Sequence, residues 1–144
     1  MKGKLNMKKI YILDACALIA AIKKEDGALI VAELYEEAIM GKADIVVNKV
    51  NLLEVYYGFR REHGKDYADI ILESVINSMV EISDISIEVL IEAGRIKSEY
   101  RRISLADSIV IAEASSRSGL LVTADHHEME ALEKAGIVNF LWIR

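Results

Sequence analysis

The sequence predicts an α/β fold, in which a parallel β-sheet carries helices on both of its faces. Short runs of β-branched and other apolar residues alternate along the chain with longer segments of helical periodicity. These apolar runs are continuous rather than alternating with polar residues, which is typical of strands covered by helices on both sides. Strand–helix alternation of this kind indicates parallel strands joined by helical crossovers. The 144 residues predict one domain, since domains usually have roughly 100–200 residues.

The first elements follow from local composition. Lys9–Leu13 is β-branched and aromatic, as in a buried strand, and residues 15–22 form a short helical segment. Residues 28–40 carry apolar side chains at helical spacing, and Gly41 ends that helix as a C-terminal cap.

The middle of the chain repeats this alternation. Residues 45–47 are predicted as a second strand and residues 50–59 as a third helix, with a turn near Gly64. Residues 66–77 are predicted as a fourth helix, and residues 79–82 as a third, weaker strand.

The last third contains three further helices and two strands. Residues 86–100 and 106–118 are predicted as helices, residues 120–122 as a strand, residues 125–135 as a helix and residues 138–143 as a strand. Glycines directly follow the second and third of these helices, as expected of helix ends.

Composition excludes several classes of protein. With 23 acidic and 18 basic residues and a net charge of -5, the chain does not coat nucleic acid by bulk positive charge. A nuclease remains open, because metal-binding carboxylates themselves add negative charge. The single cysteine excludes an internal disulfide and a cysteine-cluster zinc site, and it fits a reducing compartment.

The N-terminus resembles a signal peptide only superficially. Lysines precede an apolar run at residues 10–22, but Asp14 interrupts the run and no small-residue cleavage site follows it. The run is also shorter than the ~20 residues that span a membrane. We therefore expect an unprocessed, cytoplasmic protein without a membrane segment.

Two acids directly follow predicted strands. Asp14 comes after the first strand, and Asp125 comes after the fourth, behind Thr123 and Ala124. In open parallel sheets, ligands bind beyond the carboxyl ends of the strands, so both acids are candidate site residues. The alternative is that each merely caps the helix that follows it.

Asp107 is a third candidate. It lies on the same helical face as Val110 and Ile111, which places a carboxylate at the rim of a buried surface. Ser104 with Asp107 also matches a helix-capping box, and capping remains the open alternative.

Glu54 is the fourth candidate. With Asn51, Gly58 and Arg61 it forms a narrow polar strip on a largely apolar helix, as expected if the strip lines a site. A solvated glutamate is the alternative reading.

A set of oxygen ligands without a matching cysteine or histidine cluster favours hard cations such as Mg²⁺ or Mn²⁺ over zinc. Several carboxylates at one cleft suit metal-assisted hydrolysis of a phosphodiester, in which cations activate water and neutralise the leaving oxygen.

Four motifs give the chain a resemblance to PIN-domain proteins, most closely to the single-domain toxin ribonucleases of the VapBC toxin–antitoxin type. The segments that carry it are residues 11–19 (YILDACALI), 51–54 (NLLE), 103–112 (ISLADSIVIA) and 119–125 (GLLVTAD). Each motif is weak alone, but their order and spacing are specific, and together they cover nearly the whole chain.

The resemblance implies one PIN domain over residues 1–144, built as an α/β/α sandwich with a five-stranded parallel sheet. It also implies endonucleolytic cleavage of RNA at a Mg²⁺ or Mn²⁺ site. Carried over by motif, the acidic set is Asp14, Glu54, Asp107 and Asp125, and Thr123 matches the hydroxyl that commonly precedes the last acid.

Two positions depart from the family pattern. Cys16 stands where the family usually has serine or threonine, and Glu128 stands where an aromatic residue is common. We expect Cys16 to be a small buried residue and Glu128 to lie on a helix surface.

Several other residues are weaker candidates for a functional role. The exposed pairs expected to contact RNA phosphates are Arg60, Arg61, Arg101 and Arg102, with ordinary solvated surface as the alternative. His126 and His127 are expected on the surface rather than at zinc. Phe140 and Trp142 are expected in the strand core rather than as platforms for base stacking.

The resemblance further implies a homodimer and a cognate antitoxin that covers the cleft. The helices at residues 28–40 and 50–59 carry more aromatic side chains than one core stripe accommodates, and we expect these helices to form the antitoxin groove. The side chains concerned are Tyr35, Tyr56, Tyr57 and Phe59.

Other functions remain open from the residues alone. A PIN nuclease that processes RNA without an antitoxin and a non-catalytic PIN module share every motif above. A phospho-acceptor receiver domain would use Asp84, soon after the third strand, but it lacks the acid pair and the lysine that receivers carry. A haloacid-dehalogenase-type phosphatase needs a second aspartate where Cys16 stands.

Overall fold

The computed structural model describes residues 7–144, apart from the side chains of His127 and Glu128. The expected surface position of those two side chains therefore lies outside the described residues. Within the described chain, five parallel strands form one sheet in the order β3-β2-β1-β4-β5. The strands are β1 (Lys9–Leu13), β2 (Ala43–Asn48), β3 (Glu81–Ser83), β4 (Leu120–Thr123) and β5 (Asn139–Trp142).

The described residues also form seven helices, which connect the strands. They are α1 (Ala15–Lys23), α2 (Ala28–Ile39), α3 (Lys49–His63), α4 (Lys65–Ile76), α5 (Ile87–Glu99), α6 (Leu105–Arg117) and α7 (His126–Lys134). All predicted elements are present, and most boundaries shift by one or two residues. The strand predicted at 79–82 lies instead at Glu81–Ser83, because only those residues pair with β2.

The core has two parts, one on each face of the sheet. Leu13 and Ile45 point toward α1–α4, whereas their strand neighbours Ile12 and Val46 point toward α5–α7. Successive side chains of a strand alternate between the two faces of the sheet. A strand that is apolar throughout therefore contributes side chains to both parts of the core. The predicted α/β/α sandwich is confirmed.

The strand order reverses between β1 and β4. From β1 the chain moves outward through β2 and β3, then returns to place β4 on the other side of β1. Such a switch point leaves a crevice at the carboxyl ends of the two strands. A receiver domain instead has the order 2-1-3-4-5, so the strand order argues against that alternative.

Gly119 makes the close approach of β4 to β1 possible. A Cβ atom at this position would lie 3.0 Å from the carbonyl oxygen of Ile10 and 3.3 Å from the side chains of Ile10 and Ile12. A larger residue would push β4 away from β1 at the start of the strand.

Among the described residues, no helix is both long and apolar enough to cross a membrane.

Candidate active site

Asp14 is held at the switch point by two hydrogen bonds. It directly follows β1, caps α1 and is 2% exposed. Its Oδ1 accepts a hydrogen bond of 2.9 Å from the backbone N–H of Ala17, and its Oδ2 accepts one from the hydroxyl of Thr123. The capping role considered from the sequence is therefore real, and it fixes the carboxylate at the crevice rather than excluding it from a site.

Thr123 links the ends of the two switch-point strands. Its Oγ1 donates to Asp14 and accepts a hydrogen bond of 3.1 Å from the backbone N–H of Asp125. Thr123 is fully buried, and Asp125 is half-buried beside it. The hydroxyl thus sets the spacing between the acid of β1 and the acid that follows β4.

Glu54 is positioned by two asparagines, Asn51 on α3 and Asn48 at the end of β2. Asn48 caps the helix by accepting a 2.8 Å hydrogen bond from the backbone N–H of Asn51, and the Asn51 amide Nδ2 donates to Glu54 Oε1 at 3.0 Å. Both asparagines are buried. Of the polar strip predicted on this helix, Asn51 and Glu54 line the site, whereas Gly58 and Arg61 do not. Asn48 was not among the residues that the sequence predicted for the site.

Asp107 occupies the first turn of α6. Its backbone N–H donates to the hydroxyl of Ser104 at 3.0 Å, so Ser104 is the helix cap that the sequence predicts. The Asp107 side chain is half-buried. Because the cap bond uses the backbone of Asp107, its carboxylate can serve the pocket as well.

These side chains converge on one pocket of about 190 Å³. It is lined by Asp14, Ala15, Cys16, Asn51, Glu54, Ser104, Asp107 and Asp125. The structure therefore brings all four predicted acids together. The predicted phosphate contacts Arg60, Arg61, Arg101 and Arg102 are exposed and do not line this pocket; their role stays a prediction.

The expectation that Cys16 is buried is wrong. The residue is exposed and lines the acidic pocket. It is the second residue of α1, where Ala15 and Ala17 turn into the core and Cys16 turns toward the open crevice. Helical geometry sends neighbouring residues in different directions, so an apolar sequence context did not imply burial.

The pocket holds protons tightly at two positions. Burial raises the pKa of Asp14 to about 6, against the lowering effect of the Thr123 and Ala17 hydrogen bonds, and the charges of Asp125 and Glu54 raise it further. Partial burial of the Cys16 thiol, followed by the four surrounding carboxylates, raises the pKa of Cys16 to about 12. The pocket thus disfavours negative charge and favours an added cation.

The chemical type of the side-chain oxygens in the pocket suits a hard cation. The pocket offers carboxylate oxygens from two strand ends and two helices, together with Asn51. Asn51 Oδ1 is buried and has no hydrogen-bond partner among the described residues, so it is a further oxygen that a ligand would satisfy. Among the side chains that the structure describes, no three His, Cys, Asp or Glu residues lie close enough together to hold one ion. Binding would therefore require rotation of the half-buried Glu54, Asp107 or Asp125 toward Asp14.

The aromatic side chains of α2 and α3 are less exposed than expected. Phe59 is buried in the core at 2% exposure, and half-buried Tyr56 donates its hydroxyl to Asp69 at 2.7 Å. Tyr35 is also half-buried, whereas Tyr57 is 49% exposed. Tyr57 is therefore the exposed member of these four side chains, while Phe59 lies in the core, where α4 packs against α3.

Phe140 and Trp142 of β5 are half-buried rather than fully within the core. They pack against the core from β5, which lies at the edge of the sheet and pairs only with β4 among the described strands.

Comparison with solved structures finds the same fold in toxin–antitoxin complexes. VapBC of Salmonella typhimurium bound to DNA matches with a TM-score of 0.74 and 19% identity, covering 96% of this chain and 100% of that chain. VapBC2 of Rickettsia felis, bound to a fragment of its promoter DNA, matches with a TM-score of 0.71 and 20% identity over 92% of this chain and 97% of that one.

A third similar structure is the sarcin–ricin-loop-cleaving toxin VapC20 of Mycobacterium tuberculosis. Its TM-score is 0.60 at 14% identity, covering 84% of this chain and 94% of that chain. A sequence comparison with curated proteins finds no match. The PIN domain family model, in contrast, matches residues 11–135. That span runs from β1 through α7 and contains the whole acidic pocket, so the chain belongs to the PIN domain family.

Proposed function

We propose that this protein is a Mg²⁺- or Mn²⁺-dependent endoribonuclease that hydrolyses RNA phosphodiester bonds. The observation that carries the proposal is the convergence of Asp14, Glu54, Asp107 and Asp125 on one pocket at the switch point. Burying Asp14 there, with its pKa raised, costs stability that a purely structural cap would not require. A bound cation offsets that cost, so the arrangement is understandable as a metal site.

Each residue has a distinct part in this proposal. Asp14 is the fixed ligand, since two hydrogen bonds hold it. The half-buried carboxylates of Glu54, Asp107 and Asp125 close on the cation from the sides. When bound, the cation supplies water activation and neutralises charge on the leaving oxygen. Thr123 and Asn51 orient the carboxylates through the hydrogen bonds described above.

The structure gives the receiver alternative little support. Asp84 is exposed, forms an ion pair with Lys49 and follows β3 at the edge of the sheet, away from the switch point. The acidic pocket belongs to β1 and β4 instead.

The test is cleavage of a structured RNA by purified protein with Mg²⁺, with Mn²⁺, or with a chelator. We expect cleavage only with metal, and at least about a hundredfold loss in Asp14→Asn, since removal of one key charge-stabilising group commonly costs about 10²–10³ in rate. Asp84→Asn, purified identically, is the matched control and should keep wild-type activity. Cleavage that persists in chelator, or that Asp14→Asn retains, would show that the activity does not come from this pocket.

We further propose that the nuclease acts in the cytoplasm as the toxin of a toxin–antitoxin pair. The fold it shares with the VapBC complexes supports this assignment. A groove of about 340 Å³ between α1, α2 and α4 is wide enough for apolar side chains of an antitoxin helix. It is lined by Leu18, Ala21, Ile22, Ala28, Val31, Ala32, Tyr35, Ser74, Val75 and Ser78. Residues 50–59 do not line it, so the groove that supports this proposal is shifted from the predicted one toward α1 and α4.

The antitoxin test uses the product of any reading frame adjoining the gene. Co-expression should give a stable complex without nuclease activity, and Ala32→Arg, which fills the groove from an exposed position, should release the partner. An unchanged complex with Ala32→Arg places the contact elsewhere.

The proposed homodimer is tested separately by light scattering. A monomer at micromolar concentration rejects the homodimer.

A further inference from the structure

Three aromatic rings form a continuous stack beside the acidic pocket. The His126 ring lies parallel to Trp142, with centroids 4.0 Å apart and planes 12° apart. Trp142 in turn stacks on Phe140, with centroids 5.0 Å apart and an angle of 5°. Phe140 and Trp142 of β5 are half-buried, and His126 at the outer end of the stack has a side chain that is 47% exposed.

The orientation of the His126 ring is fixed from several directions. Its Nε2 donates a hydrogen bond of 2.6 Å to the carbonyl oxygen of Arg144, and its Nδ1 lies 3.7 Å from Glu130. Trp142 is itself held by a 2.8 Å hydrogen bond from its Nε1 to Glu133. Trp142 covers one face of the ring, both nitrogens are engaged near the ring plane, and the side chain is still 47% exposed.

The stack is adjacent to the proposed reaction site. Asp125 lines the acidic pocket and His126 is the next residue, so their Cα atoms are about 3.8 Å apart. Trp142 pairs with Thr123 in the sheet register, which places the stack on the β5 side of the same crevice.

We propose that the outer face of His126 is a stacking subsite for one unpaired nucleobase of the substrate. This inference rests on the proposed nuclease function and names a specificity-determining residue for it. Any base can stack on a flat ring, and stacking on a rigid platform avoids the entropy cost of ordering it. The net charge of -5 makes such a contact more important, because it supplies affinity that bulk positive charge does not. Since purines stack more extensively than pyrimidines, the subsite favours a purine.

Trp142 allows a direct test, because it is the only tryptophan of the chain and lies under the proposed subsite. The probes are single-stranded pentanucleotides with 2′-O-methyl riboses, all adenine, all uracil, or all adenine with one abasic position. Binding is followed by tryptophan fluorescence and by anisotropy of an end label. The Asp14→Asn background keeps the probes intact during the measurement.

We expect the adenine probe to change Trp142 fluorescence on binding and to bind more tightly than the uracil probe. His126→Ala should weaken adenine binding about 5- to 150-fold, the range for loss of one base–aromatic stack. It should also abolish the preference for adenine. His126→Phe, which keeps a flat ring, should restore both.

His63→Ala is the matched control. His63 is another exposed histidine, tilted against Tyr67 with centroids 4.8 Å apart, but it lies at the far end of α3 from Asn51. Equal adenine affinity in His126→Ala and the parent, or binding without a change in Trp142 fluorescence, overturns the subsite. Because these readouts need no cleavage, they stand apart from the nuclease test: an inactive protein that binds through His126 refutes the proposed function and keeps the subsite.

Discussion

The hydroxyl of Thr123 donates a hydrogen bond to the carboxylate of Asp14, across 109 positions of sequence. Asp14 directly follows β1 and Thr123 ends β4, so this contact links the two strands on either side of the switch point. It also ties the most buried acid of the pocket to the backbone of Asp125. The first prediction follows from it.

Replacing Thr123 with valine should destabilise the metal-free protein at pH 7. The change keeps the shape but removes a hydrogen bond to a charged carboxylate, worth about 1.5–3 kcal/mol. Urea unfolding at equilibrium measures the effect. Thr123→Ser is the control and should lose only a buried methyl group, about 0.8 kcal/mol. A Thr123→Val variant as stable as the wild type would mean that the hydroxyl contributes nothing.

The second prediction concerns pH and Asp14. Its pKa is raised from 3.8 to about 6 in the folded protein, so folding favours the protonated acid. This contribution to stability is complete below pH 3.8 and is lost as the pH rises through 6. Asp14→Asn, which can still accept from Ala17, should therefore be more stable than the wild type above pH 6, by at most about 3 kcal/mol.

The measurement is urea unfolding of both proteins in chelator between pH 4 and pH 8. The gap between them should widen with pH and then level off. A gap that is constant across this range would show that Asp14 titrates normally in the fold. Asp84→Asn, at an exposed site, should show no such trend.

The third prediction concerns Asn51, which we expect to act through Glu54. Asn51→Ala removes the donor that holds Glu54 Oε1 and should lower RNA cleavage. In a Glu54→Ala background, the same substitution should have little further effect, since its partner is already absent. The measurement is a double-mutant cycle, in which the cleavage rates of the wild type, the two single variants and the double variant are compared. Additive losses would assign Asn51 a separate role, such as direct contact of its unpartnered Oδ1 with a ligand.

The fourth prediction concerns Cys16, whose raised pKa of about 12 keeps the thiol protonated at neutral pH. Alkylation by iodoacetamide at pH 8 should be far slower in the folded protein than in urea, because the thiolate is the reactive form. Asp107→Asn should speed the folded-state reaction by removing one of the charges that oppose thiolate formation. Mass spectrometry follows the single cysteine directly. A rate unaffected by Asp107→Asn would assign the slow reaction to steric access instead.

The acids could be predicted from the sequence because their positions follow simple rules. Asp14 comes directly after an apolar strand and Asp125 two residues after another, and the carboxyl ends of parallel strands share one edge. Asp107 and Glu54 required the resemblance to PIN-domain proteins, since capping or solvation explained each of them locally. The raised pKa of Asp14 also depends on the fold, because burial contributes more to it than repulsion from the neighbouring acids does.

Features that depend on tertiary contact could not be predicted. The sequence pattern does not contain the strand order, so it could not show that β4 lies beside β1. Cys16 was misplaced because its apolar neighbours indicated a core, whereas the helix turns it toward the crevice. The stack of His126 on Trp142 joins α7 to β5, and neither segment alone indicates it.

The pairing of β1 with β4 also has a consequence during synthesis. Asp14 leaves the ribosome 109 residues ahead of Thr123, an interval of about 5–20 s at translation rates of roughly 5–20 residues per second. Throughout that time the early acids lack the strand that carries the last one. A nascent chain therefore remains without a complete acidic pocket until nearly all of the domain has been made, so the proposed nuclease activity begins only after β4 has been synthesised.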